Sequence, residues 1–133
     1  MDRDAFYDMV ERRADRSDRA DARDAAQAVL STLGERLSEN QSHALAAELP
    51  RELGDHLTDG ASGRRFPYEE FFARVEQRAE RVDTGDAEFV SQVVTEATLE
   101  SVGEDERAAV ADSLERFDYD ALLANVDVDA DLG

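Results

Sequence analysis

Two histidines carry the most chemistry in this chain. His43 and His56 are the only imidazoles, and each follows a glutamate by four residues, Glu39 and Glu52. On a helix that spacing puts both members of a pair on one face. If the two helical segments fold back on each other, four nitrogen and oxygen ligands converge on a metal ion. The pattern is weak, because carboxylate-bridged di-iron bundles use Glu-x-x-His and further glutamates. The plain alternative is a pair of surface histidines, each with a helical salt partner.

Other candidates are thinner. The C-terminal Asp127-Val128-Asp129-Ala130-Asp131-Leu132-Gly133 resembles the first half of a calcium loop. It lacks the sixth-position glycine and the twelfth-position glutamate of such a loop, and reads as an acidic tail. Gly60 and Gly63, followed by Arg64-Arg65 and a helix start, could cradle a phosphate, yet the lysine and glycine count of a P-loop are missing and an interdomain turn is the better reading. The tyrosines Tyr7, Tyr68 and Tyr119 and the hydroxyls Ser17, Ser31, Ser42 and Thr58 are scattered, with no glycine-flanked elbow around any serine. No catalytic residue and no cofactor is expected.

Composition bounds the setting. The chain has 33 acidic against 15 basic residues, a formal charge of −18, and every basic residue is arginine. Disorder is excluded as the explanation, because 41% of the residues are hydrophobic and fall in helical register. Salt adaptation explains the charge: at molar salt the Debye length is about 3 Å, so a carboxylate coat stops repelling itself. The chain therefore reads as a cytoplasmic protein of an extreme halophile. Nucleic acid is a poor partner, since the arginines alternate with aspartates, as in Asp15-Arg16-Ser17-Asp18-Arg19, and the isolated pair Arg64-Arg65 is too small for a docking patch. Cysteine is absent, so neither disulfides nor thiolate chemistry arise. No apolar stretch is long enough to span a membrane, and Met1-Asp2-Arg3-Asp4 does not open a signal peptide.

The elements that would position these residues come twice. Shifted by 65 positions without a gap, Phe6 falls on Phe71, Val10 on Val75, Arg13 on Arg78, Ala14 on Ala79, Val29 on Val94, Glu35 on Glu100 and Leu49 on Leu114. Two copies of a helical unit can each bury the face that neither buries alone. The expected fold is all-α: one compact bundle of about seven to eight helices in a single domain over 1–133. Its copies cover 4–58 and 69–124, with a linker over 59–66 and an acidic tail over 125–133.

The apolar periods predict a first helix from Asp4 to Arg16 and a second, N-capped by Asp21, with its stripe from Ala22 to Leu37. Ser38 and Gln41 are spaced as a capping box for the third helix, and Pro50 stands as the first residue of the fourth. The fifth carries Phe71, Val75, Ala79 and Val82. The sixth carries Phe89, Val90, Val93, Val94 and Ala97 on its apolar side after a turn and cap at Gly85-Asp86. Gly103 opens the seventh, and a last short helix holds Leu122 and Leu123.

A first helix with an aromatic and a valine, the segments Leu33-Gly34-Glu35-Arg36-Leu37 and Leu49-Pro50-Arg51-Glu52-Leu53, and the second opening Glu69-Glu70-Phe71-Phe72-Ala73-Arg74-Val75 together resemble domain-of-unknown-function family 2267. The resemblance runs from about Asp4 to Ala124 and implies an all-helical prokaryotic fold without naming an activity. Glu115-Arg116 departs from it, replacing the Leu-Pro step in the second copy, which bears on the break after the seventh helix. The expected role is a non-enzymatic helical module acting through contact with a protein partner, with the groove between the copies as the binding surface. The alternative is a small metal- or ligand-binding protein using Glu39, His43, Glu52 and His56.

Overall fold

The computed structural model describes residues 2–14, 19–80, 82 and 84–123. Residues 15–18, the end of the second repeat at Ala124, the acidic tail and the calcium-like loop lie outside the described residues. Among the described residues there are seven α-helices, two 3-10 turns and no strand. The helices are α1 (Arg3–Arg13), α2 (Arg19–Arg36), α3 (Glu39–Ala47), α4 (Arg51–Thr58), α5 (Tyr68–Arg78), α6 (Ala87–Glu100) and α7 (Glu104–Arg116). The 3-10 turns are Thr84–Asp86 and Asp120–Leu123. The expected all-α bundle of about seven to eight helices is what forms.

Capping chemistry sets the boundaries, and in places it differs from expectation. Asp2 accepts a hydrogen bond from the Ala5 amide at 2.8 Å and starts α1. Helix α2 begins at Arg19, so Asp21 sits within the first turn, where the helix dipole favours an acid, rather than at the cap. Ser38 caps α3 by accepting from the Gln41 amide at 3.2 Å. The reciprocal half of the box is absent, because the Gln41 side chain donates to the Ala109 carbonyl at 3.1 Å and ties α3 to α7. Pro50 stands just outside α4, at its N-cap position instead of its first residue.

Helix α5 stops at Arg78, since Ala79 turns to extended backbone, and Val82 lies beyond it. Phe89 faces outward at 44% exposed, contrary to its expected place on the apolar side of α6. Glu115 and Arg116 simply continue α7 because no proline interrupts them. The chain then turns through Asp118 at φ 64, a left-handed value that a short polar side chain tolerates, into a 3-10 turn where a last helix was expected.

Helices α2 and α6 form the buried centre. Helix α2 packs against α1, α4, α5 and α6, while α6 packs against α1, α5, α7 and the second 3-10 turn. Phe6, Val10, Val29, Leu30, Leu33, Phe71, Val75 and Val94 have no exposed surface. Where α2 meets α4 the approach is backbone to backbone: a Cβ at Gly34 would fall 1.9 Å from the Leu57 carbonyl oxygen. Gly54 is similarly crowded, with a built Cβ 2.8 Å from the Ala46 carbonyl oxygen. These two glycines let α3, α4 and α2 stack more closely than any side chain permits. The bounds of α1 and α5, Arg3–Arg13 and Tyr68–Arg78, stand 65 positions apart, and α3 and α7 start 65 apart.

Candidate functional site

The four proposed ligands are spread around α3 and α4. Glu39 and His43 are exposed on α3 and share a surface hollow of about 180 Å³ with Thr58, Gly60 and Ser62. His56 is half-buried on α4 and lines a second hollow, about 100 Å³, with Gln27, Ser31 and Asp59. Burial pushes the His56 imidazole below its usual range, against the pull of Glu52, Asp55 and Asp59.

Glu52 is engaged elsewhere. It accepts a short hydrogen bond from the Tyr7 hydroxyl, and Arg3 Nη1 and Arg23 Nη2 lie 3.0 Å and 3.5 Å from its Oε1. The Tyr7 hydrogen bond, then Arg23 and Arg3, hold this carboxyl below the usual carboxylate range in spite of its desolvation. Burial, followed by the same contact, pushes the Tyr7 hydroxyl up. Glu52 thus fastens α4 to α1 and α2. Among the described residues, no three His, Cys, Asp or Glu side chains gather as metal ligands.

The glycine turn is also occupied. Gly63, at φ 67, donates its amide to the Leu37 carbonyl at 2.7 Å, and the Arg64 amide donates to the Glu35 carbonyl at 3.0 Å. The two amides that would face a phosphate cap the C-terminal end of α2 instead. Phe66 is buried behind them, so the segment is folded onto the bundle rather than slung between halves. Ser42 Oγ donates to the Gly34 carbonyl at 3.0 Å and Thr58 Oγ1 to the Gly54 carbonyl at 3.3 Å, which engages both hydroxyls with backbone.

Two arrangements lie outside what the sequence analysis predicts. One is a pair of ion-pair clusters. Arg74 Nη1 and Arg78 Nη2 each lie 2.8 Å from Glu35 Oε1, and Arg78 Nη1 also donates to Thr32 Oγ1 at 2.9 Å. Arg13 meets Glu96 at 2.6 Å and forms a short pair with Glu100. Burial opposes the Glu35 charge, but the hydrogen bonds from Arg74 and Arg78 prevail and hold its carboxyl below the usual range. The Arg13 hydrogen bond does the same for Glu100. A signal is present in the sequence, since Arg13 matches Arg78 and Glu35 matches Glu100 under the 65-residue shift.

The other is an aromatic corner. Tyr119 stands edge-on to Tyr68, Phe71 and Phe117, with ring centres 5.5 to 6.1 Å apart. Its hydroxyl donates to the Phe66 carbonyl at 2.5 Å, and burial pushes it up to about 12. Arg36 from the end of α2 lies over Phe117, its guanidinium carbon 3.5 Å from the ring centre. No local spacing announces this corner, because its members come from α2, the 59–67 segment, α5 and the chain after α7.

No helix among the described residues is long and apolar enough to cross a membrane. A family described as "Uncharacterized conserved protein (DUF2267)" matches residues 3–122, so the chain belongs to the DUF2267 family. No curated protein matches it.

Proposed function

We propose that this DUF2267 chain is a non-enzymatic helical module that acts through contact with a protein partner in a high-salt cytoplasm. The observation that carries the reading is Phe89. It is the exposed large apolar side chain of the described residues, set beside the exposed Glu88 on the first turn of α6. An aromatic anchor with a charged rim is the usual anatomy of a contact surface. Charged groups elsewhere are committed to the frame: Glu35, Glu52 and Glu100 each hold helices together through arginine. The arginine-only, acid-rich composition supports the high-salt setting.

The test is affinity capture from a lysate of the source cells in molar salt, using the chain and its Phe89→Ser variant as baits. One protein retained in stoichiometric amount by the chain and lost with the variant supports the reading. Identical profiles for both baits overturn it. The hollow shared by Glu39 and His43 favours the second reading, a small metal- or ligand-binding protein. Metal analysis of tag-free protein addresses it: one equivalent of transition metal, absent from the His43→Ala, His56→Ala variant, would replace the first reading with the second.

A further inference from the structure

The two hollows beside α4 are rich in acceptors. In the larger, Ser42 and Thr58 have already given their hydroxyl protons to the Gly34 and Gly54 carbonyls, so both oxygens are left with lone pairs only. Glu39 adds a carboxylate there and His43 an imidazole. The smaller hollow repeats the set from other positions: Asp59 supplies the carboxylate, His56 the imidazole, and Gln27 and Ser31, one turn apart on α2, an amide and a hydroxyl. Both adjoin the C-terminal end of α4, where helix carbonyls lack intrahelical partners and the dipole is negative. Among the described residues, the Gln27, Ser31, Glu39, His43, His56 and Asp59 side chains form no hydrogen bond that commits them to the frame.

The hollows also adjoin each other. Gly60 lines both, and a Cβ built on it meets nothing within 4 Å, so the space over its backbone is open. Among the described residues, no three His, Asp or Glu side chains gather in either hollow as metal ligands. Acceptors in surplus, with one carboxylate in each hollow, suit a ligand that carries N–H donors and positive charge at both ends. An ammonium group has three donors and no acceptor. Two ammonium groups on one short chain bind better than one, because the second meets its hollow at the effective concentration that the link sets. We propose that the two hollows bind one small aliphatic diamine, with one ammonium against Glu39, the other against Asp59 and the carbon chain across Gly60. The inference rests on the ligand-binding reading of the Glu39 and His43 hollow and is separate from the Phe89 surface on α6.

The experiment is titration of the full chain in molar potassium chloride, where diffuse attraction between an acidic surface and any dication is screened and contact binding remains. The probes are aliphatic diamines of three to six carbons and butylamine, followed by calorimetry and by the Gly60 amide resonance. Saturable binding of one equivalent of the best diamine is expected, with butylamine weaker by about tenfold or more. Glu39→Gln and Asp59→Asn are each expected to weaken the diamine by about tenfold or more. Gly60→Val, which blocks the passage without touching a charge, should do the same. Glu39, Asp59 and Gly60 are all exposed, so the three variants should melt like the parent. Absence of saturation, equal affinity for butylamine, or unchanged affinity in any of the three variants overturns the proposal. A stoichiometric transition metal in tag-free protein, lost with His43 and His56, together with no diamine binding would overturn the diamine and leave the ligand-binding reading standing.

Discussion

Arg78 meets Glu35 across the molecule, Nη2 to Oε1 at 2.8 Å, and the same exchange runs in the opposite sense between Arg13 and Glu100. Each arginine closes the end of a short helix, α5 or α1, onto the end of a central one, α2 or α6. The two clasps hold the halves crosswise. Removing Arg78 from α5 should therefore loosen its attachment to α2 without touching α1. A double-mutant cycle of Arg78→Gln with Glu35→Gln is expected to give a coupling of about 0.5–1 kcal/mol at low salt, the range for partly exposed pairs, and less at molar salt. Denaturant melts of the four proteins measure it.

Acid should weaken the fold in two stages. The folded His56 value lies below its ordinary 6.5, so the folded state prefers the neutral ring and stability is lost as pH falls below 6.5. Glu35, Glu52 and Glu100 are held below their ordinary 4.5, so their contribution is complete above that value and is lost as pH falls further. Glu106 acts in the opposite sense, because burial and then Glu48 push it up. The thermal midpoint should decline gently from pH 7 to 5 and steeply below 4.5. His56→Gln should flatten the first stage alone.

Gly34 should be among the least replaceable residues. A methyl group there meets the Leu57 backbone rather than the end of a flexible side chain, so α2 and α4 would have to move apart. Overpacking of this kind typically costs about 1–3 kcal/mol, occasionally more. Gly34→Ala should destabilise the fold by that amount in urea melts, whereas Gly60→Ala, with nothing within 4 Å, should leave it nearly unchanged.

The apolar periods disclose most of this fold because each helix buries one stripe: Phe6 and Val10, Val29 and Leu33, Phe71 and Val75 all lie where their spacing puts them. The helix ends are harder to read. Asp21 could equally cap a helix or sit in its first turn, and only the course of the preceding chain decides. Phe89 departs from expectation because its hydrophobicity fits α6, while its angle around the helix carries it outward. The crowding at Gly34 is a property of two backbones, and nothing in Leu33-Gly34-Glu35 distinguishes it from an ordinary helical glycine. The stacking of Arg36 on Phe117 is not announced by local spacing, because Phe117 comes from the chain after α7, far from the end of α2.

Phe6 and Phe71 should carry equal weight. Both are fully buried, Phe6 edge-on to Tyr7 and Phe71 edge-on to Phe72 and Tyr119. Truncating a buried aromatic to alanine typically costs about 3–5 kcal/mol. Phe6→Ala and Phe71→Ala are each expected to lose that much in denaturant melts. A large cost at one site and a trivial cost at the other would mean that the two positions do unequal work in the core.

Salt should set the stability of the whole molecule. The first turn of α7 alone places Glu104, Asp105 and Glu106 side by side, and burial first, then the Glu48 charge, push the Glu106 carboxyl up. With 33 acids against 15 arginines, pairing offsets only part of the repulsion among them. Lowering the salt from 1 M to 0.01 M stretches the Debye length from about 3 Å to about 30 Å, so repulsion that was confined to neighbours acts across the bundle. The unfolded chain relieves it by expanding, which favours unfolding at low salt. The thermal midpoint followed by helical circular dichroism is expected to fall by roughly 10 °C or more between molar and 10 mM potassium chloride, the equivalent of about 2–3 kcal/mol for a chain of this size. A midpoint that stays level or rises on desalting would show that the carboxylate coat serves another end, such as attraction of a basic partner.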